Sequence, residues 1–222
     1  MHQVSLKEAE GYQVPANSTK IRVKERVEYV AIDDISLLIK TEDEIDAAVE
    51  DTKENGAKND SDNTEINKQH TTDATQRFGI DVSKWQGDVD WDKVKASGVE
   101  FVIIRAGYRG YGSGALVEDP YFKQHIRGAR SVGLKVGVYV FSQAITTQEA
   151  VEEASLCLQL VRGHQIDYPI FFDTEYSTSA KTGRADHLSK SQRTTIAKAF
   201  CETIQNAGYN AGIYASKTWF YY

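Results

Sequence analysis

From residue 78 to the end of the chain, short and nearly unbroken apolar runs alternate with longer amphipathic stretches, and this alternation leaves few folds open. The apolar runs are 78–82 (FGIDV), 99–106 (VEFVIIRA), 134–141 (LKVGVYVF), 168–173 (YPIFFD) and 210–214 (NAGIY). They lack the polar residue at every second position that marks a strand with one wet face, so each is expected to be covered on both sides. Between them the pattern predicts helices over 91–96, 120–132, 147–162 and 189–207. The third places Ala150, Val151, Ala154, Cys157, Leu158 and Val161 on one stripe, and the fourth aligns Ile196, Phe200 and Ile204. Gly98, Gly133, Gly163 and Gly208 stand where each helix should stop, and Pro120 suits a first turn. Strands alternating with helices in this way imply an α/β fold with a parallel sheet.

A parallel sheet of this kind is either an open doubly wound sheet or a (β/α) barrel. The first strand leads into Asp81-Val82-Ser83-Lys84-Trp85, which has neither GxGxxG nor GxxxxGK[ST], so a phosphate-cradling loop is not indicated. Polar residues instead gather at the C-terminal ends of the strands: Asp81, Arg105, Tyr139, Asp173 with Glu175, and Tyr214. Side chains converging from several strand ends on one mouth suit a TIM-like barrel. Five strands precede Tyr222, so the expected barrel is incomplete and leaves an exposed sheet edge.

The preceding residues divide in two. Residues 1–40 alternate apolar and polar side chains at 19–24 and 27–32, which predicts a short β segment. Residues 41–77 are acidic and polar, with hardly any large apolar side chain after Val49, and read as a linker with at most a loose helix over 42–54. The start of the chain lacks a basic-then-apolar secretory pattern, and no apolar run is long enough to span a bilayer. The net charge of −6 argues against a nucleic-acid partner, which needs a basic face. Cys157 and Cys201 both fall in predicted helices and read as free, buried thiols; no Cys/His spacing suggests a metal site, and no cofactor is expected.

The strongest local chemical signal is Pro169-Ile170-Phe171-Phe172-Asp173-Thr174-Glu175. In an extended strand, residues i and i+2 share a side, so Asp173 and Glu175 face together with Cα atoms roughly 6–7 Å apart. Two close carboxylates repel when both are charged, and one of them holds its proton to higher pH. A glycosidase uses that effect to keep one acid protonated beside an ionised one. A bare DxE can equally be solvated or bind a cation, Asp81 can equally cap a turn, and Arg105 can equally be a buried partner for one of these acids. Tyr139, Tyr214, Trp219 and Phe220 suit stacking on sugar rings or ordinary packing.

Several motifs together resemble the glycoside hydrolase family 25 lysozymes, in order, from about residue 78 to 222. They are GIDVSKWQG (79–87) with Asp90-Trp91, FVIIRAG (101–107), DPYF (119–122), GLKVGVY (133–139), PIFFDTE (169–175), and GIYAS (212–216) with Trp219-Phe220. The resemblance implies a modified (β/α) barrel and hydrolysis of the β-1,4 bond between N-acetylmuramic acid and N-acetylglucosamine in peptidoglycan, without a metal. It implies Glu175 as general acid, Asp173 and Asp81 as supporting carboxylates, and Tyr139, Tyr214, Arg105 and Trp219 as substrate contacts. Family barrels continue past the GIYAS-type segment and supply a further aspartate. A C-terminally truncated enzyme with little activity of its own is therefore expected, the alternative being a non-catalytic wall-binding module. Leu6-Lys7-Glu8-Ala9-Glu10-Gly11-Tyr12 is similar to the end of a prealbumin-like surface domain of Gram-positive bacteria. That likeness implies a secreted or cell-surface protein whose signal lies upstream of Met1.

Overall fold

The computed structural model describes residues 39–40, 77–178, 180–216 and 219. The expected strands at 19–24 and 27–32, the loose helix at 42–54 and nearly all of the 41–77 segment lie outside the described residues. The elements are β1 (Ile39–Lys40), β2 (Gly79–Val82), α1 (Trp91–Ala96), β3 (Phe101–Arg109), β4 (Leu116–Glu118), α2 (Phe122–Ser131), β5 (Lys135–Phe141), α3 (Thr147–Val161), β6 (Ile170–Thr174), α4 (Lys190–Asn206) and β7 (Ala211–Ala215).

The five expected parallel strands are β2, β3, β5, β6 and β7, hydrogen-bonded in that order. Among the described residues the sheet does not close, and β7 is paired on one side. The fold is thus mixed α/β with an unclosed parallel sheet. Two pieces are absent from the sequence reading. β4 folds back antiparallel on the outer half of β3, and β1 adds to β4 in parallel, with Ile39 opposite Leu116. The last residues of the 1–40 segment are therefore hydrogen-bonded to the α/β sheet.

Local chemistry explains the boundaries. Asp90 caps α1 by accepting from Lys93 N at 3.1 Å, Thr146 caps α3, and Ser189 with Gln192 forms a capping box on α4. Gly98, Gly133, Gly163 and Gly208 all have positive φ just past a helix, as expected. α2 differs: it begins at Phe122, and Pro120 lies before it in a turn held by Asp119, whose Oδ1 accepts from Tyr121 N at 2.9 Å.

The core lies between the outer face of the sheet and the helices. Val102, Ile104, Val136, Val138, Val140, Ile170 and Phe172 meet Phe122, Ile126, Ala154, Cys157, Ile196, Phe200 and Ile204 there. The Phe172 and Phe200 rings lie 5.2 Å apart. Both cysteines are free, Cys157 buried and Cys201 half-buried. The remaining face of the sheet points inward and carries different chemistry.

Candidate active site

The inward face is set by strand register. Asp81 pairs with Ile103, Arg105 with Tyr139, Tyr139 with Phe171, and Asp173 with Tyr214. These residues, without Arg105 but with Glu175, line one pocket of about 180 Å³. The three acids anticipated from sequence thus converge at one mouth. Two glycines shape the floor: a Cβ on Gly137 would meet Ile103 Cδ1 at 2.6 Å, and one on Gly212 would meet the Phe171 ring at 2.6 Å. Both large side chains lean over a neighbouring strand because that strand has no side chain there.

The three carboxyls differ in exposure. Asp81 is exposed, Glu175 is half-buried, and Asp173 is buried with Oδ1 lacking a hydrogen-bond partner among the described residues. Burial pushes the Asp173 carboxyl well above the usual range; the charges of Glu175 and Asp81 push the same way, and Arg105 opposes them. Asp173 is therefore the member of the cluster whose protonated form burial favours. Burial likewise raises the Tyr139 and Tyr214 hydroxyls, so both act as neutral donors.

Arg105 does not end its strand. It sits mid-β3, and the register against β5 shifts between Arg105 and Gly107. Its partner is none of the three pocket acids: Nε donates to Asp119 Oδ2 at 2.7 Å. Asp119, fully buried, also accepts from Lys84 N at 3.0 Å and so ties the turn after β2 to β3. Trp219 does not line the pocket. Its ring is stacked on the Arg193 guanidinium at 3.5 Å and lies edge-on to Tyr176, the residue after Glu175.

Beneath the mouth, Arg109 at the end of β3 donates from Nε to Glu153 at 2.8 Å and from Nη2 to Glu152 at 3.0 Å. Arg184, in the loop after Glu175, pairs with Glu149 at 2.9 Å, and Asp186 holds that loop through Ser177 and Gly183. Ser142 N donates to the Asp173 carbonyl at 2.8 Å. Sequence reasoning found none of these supports, because most of them join residues far apart in the chain and the local ones hold an irregular loop. His125 is equally hidden from it: fully buried on α2, it sits with Nε2 3.2 Å from the Ser83 carbonyl. Among the described residues no group of three His, Cys, Asp or Glu side chains is arranged to hold a metal ion, and no helix is long and apolar enough to cross a membrane.

The model of "glycosyl hydrolases family 25" matches residues 80–222, well over half the chain. An autolytic lysozyme from Clostridium acetobutylicum is 30% identical over 136 residues, covering 61% of this chain and 37% of the relative. The modular autolysin LytC from Streptococcus pneumoniae superposes with a TM-score of 0.55 at 27% identity, covering 63% of this chain and 32% of the autolysin. Its complex with a synthetic peptidoglycan ligand gives 0.53. A family 25 glycosyl hydrolase from Bacillus anthracis shares the fold, with a TM-score of 0.54 at 23% identity over 68% of this chain and 66% of that protein. The chain thus spans about a third of the length of the autolytic lysozyme and of LytC.

Proposed function

We propose a muramidase activity from one premise: this chain belongs to glycosyl hydrolase family 25. The reaction is hydrolysis of the β-1,4 bond between N-acetylmuramic acid and N-acetylglucosamine in peptidoglycan, on what we read as part of a (β/α) barrel. The observation that carries the reading is the meeting of Asp81, Asp173 and Glu175 in one pocket walled by Tyr139, Phe171 and Tyr214.

The negative charge of Glu175 helps to raise the Asp173 carboxyl, so the two acids are electrostatically coupled. Glu175, nearer solvent, delivers a proton to the glycosidic oxygen as the bond to the anomeric carbon breaks. Asp173 and Asp81 flank the positive charge developing on the sugar ring, and water then forms the new bond to the anomeric carbon and gives its proton back to the Glu175 carboxylate. Tyr139 and Tyr214 offer ring faces and hydroxyl donors to the glycan. Arg105 sets the field at the inner wall, and Trp219 acts through Tyr176. A purely glycan-binding module has no need of a carboxyl kept protonated by burial and by two neighbouring acids, which disfavours the non-catalytic alternative.

The names of the relatives, autolysins and lysozymes, support action on the wall outside the cell. We extend this to a secreted or surface protein of a Gram-positive-type bacterium. Within it, residues 1–40 would be the end of an upstream surface domain, 41–77 a linker and 78–222 the lysozyme unit.

Glu175→Gln tests the assignment, since Gln keeps the shape and removes the transferable proton. Release of reducing ends from peptidoglycan should fall by roughly 10²–10⁴-fold with glycan binding retained. Undiminished release with Gln at 175 would overturn it.

A further inference from the structure

We propose that a ladder of alternating cations and rings along one wall of the mouth, Arg105–Tyr108–Lys84–Trp85, is a binding arm for the glycan strand beyond the pocket. Trp85 is the platform for an N-acetylhexosamine ring, and the Lys84 ammonium recognises a carboxylate on the peptide-bearing sugar. The inference rests on the muramidase reading and names the part of the substrate gripped outside the reacting bond.

The geometry is continuous. The Arg105 guanidinium lies 5.2 Å from the Tyr108 ring, the Lys84 ammonium 5.4 Å from the same ring, and that ammonium 5.1 Å from the Trp85 ring. The inner end adjoins the pocket: Arg105 is not in its lining but lies opposite Tyr139, which is. Arg105 Nη2 is buried with no hydrogen-bond partner among the described residues. The outer end lies beyond the pocket lining, where Trp85 is 77% exposed.

An indole that exposed gains little from packing, yet the turn that carries it is held firmly. Lys84–Gln86 form a 3-10 turn directly after β2, with Ser83 N donating to Gln86 Oε1 at 2.7 Å in a capping box. Asp119 holds Lys84 N from beneath, and His125 meets the Ser83 carbonyl. Because Asp119 also binds Arg105, one buried carboxylate ties the inner end of the ladder to the turn that carries Lys84 and Trp85. A rigid, outward-held ring costs little entropy to engage, and a cation beside it is strengthened by the ring's negative face. Peptidoglycan presents the matching pattern: apolar sugar faces alternating with peptide-bearing rings that carry carboxylates.

Isothermal titration calorimetry of the 222-residue chain reads binding in every variant, including those that lack the Trp85 indole. The ligands are an uncharged N-acetylglucosamine tetramer and a peptidoglycan tetrasaccharide bearing peptides with free carboxylates. The wild-type chain should bind both, the charged one more tightly and with salt sensitivity. Trp85→Ala should weaken both about tenfold, with Trp85→Phe restoring most of the loss. Lys84→Met should weaken the charged ligand alone, by about three- to fivefold, and remove its salt sensitivity. Unchanged affinities in Trp85→Ala, equal losses for the two ligands in Lys84→Met, or no binding by the wild-type chain would each overturn the proposal. Failure of the muramidase reading shows separately, as reducing-end release that survives Glu175→Gln while the ladder variants still lose binding.

Discussion

Glu153 makes a sharp test of how this fold handles buried charge. It is fully buried on α3, with Oε1 bonded to Arg109 Nε at 2.8 Å and Oε2 lacking a hydrogen-bond partner among the described residues. Burial outweighs the attraction of Arg109 and the help of Ser142, and the carboxyl is pushed from 4.5 up to about 7. Arg109 is itself raised by its three glutamates, so the guanidinium stays charged. When Glu153 takes a proton, Glu152 and the Gly114 and Glu149 carbonyls still hold Arg109. Between pH 4.5 and about 7 the folded state therefore binds more protons at Glu153 than the unfolded chain does. Stability from this group is fully present below that window and is lost as pH rises through it. At roughly 1.4 kcal/mol per pH unit of displacement, the loss is about 3 kcal/mol. Glu153→Gln keeps an acceptor toward Arg109 and removes the titration. In urea unfolding, its stability relative to wild type should improve by about 3 kcal/mol between roughly pH 4 and pH 8. Parallel pH profiles for the two proteins would refute the reasoning, because they would mean that pairing fully offsets the cost of burial.

Asp119→Ala strands the Arg105 guanidinium, whose side chain is 9% exposed, and should cost about 3–5 kcal/mol in denaturant unfolding. Gly128→Ala would ordinarily favour a helix, but its new Cβ would overlap the Trp91 ring. A loss of about 1–3 kcal/mol in thermal unfolding is expected in place of a gain. Asp173→Asn removes a carboxyl raised by burial, whose wild-type form loses stability as pH climbs above the ordinary aspartate range. In urea unfolding the variant's stability relative to wild type should rise with pH above that range, while reducing-end release is lost.

Periodicity along the chain determined most of the scaffold. The runs at 99–106 and 134–141 became β3 and β5 with ends displaced by at most three residues, and the glycines at 98, 133, 163 and 208 stop helices with positive φ. The same local rule foretold that Asp173 and Glu175 share a side, since alternation along a strand is a property of the backbone alone. What the sequence left open was decided by partners distant along the chain. Whether Arg105 serves the pocket acids depended on Asp119, which is fourteen residues away and anchors two elements at once. How strongly Asp173 resists ionisation depended on depth in the pocket: Asp173 and Glu175 are both acids at a strand end, and only the surrounding packing buries one more than the other. Trp219 reads as a sugar platform in isolation, yet the fold sets it on Arg193. Burial and pairing are sums over neighbours that meet only when the strands are in register, so they belong to the tertiary structure.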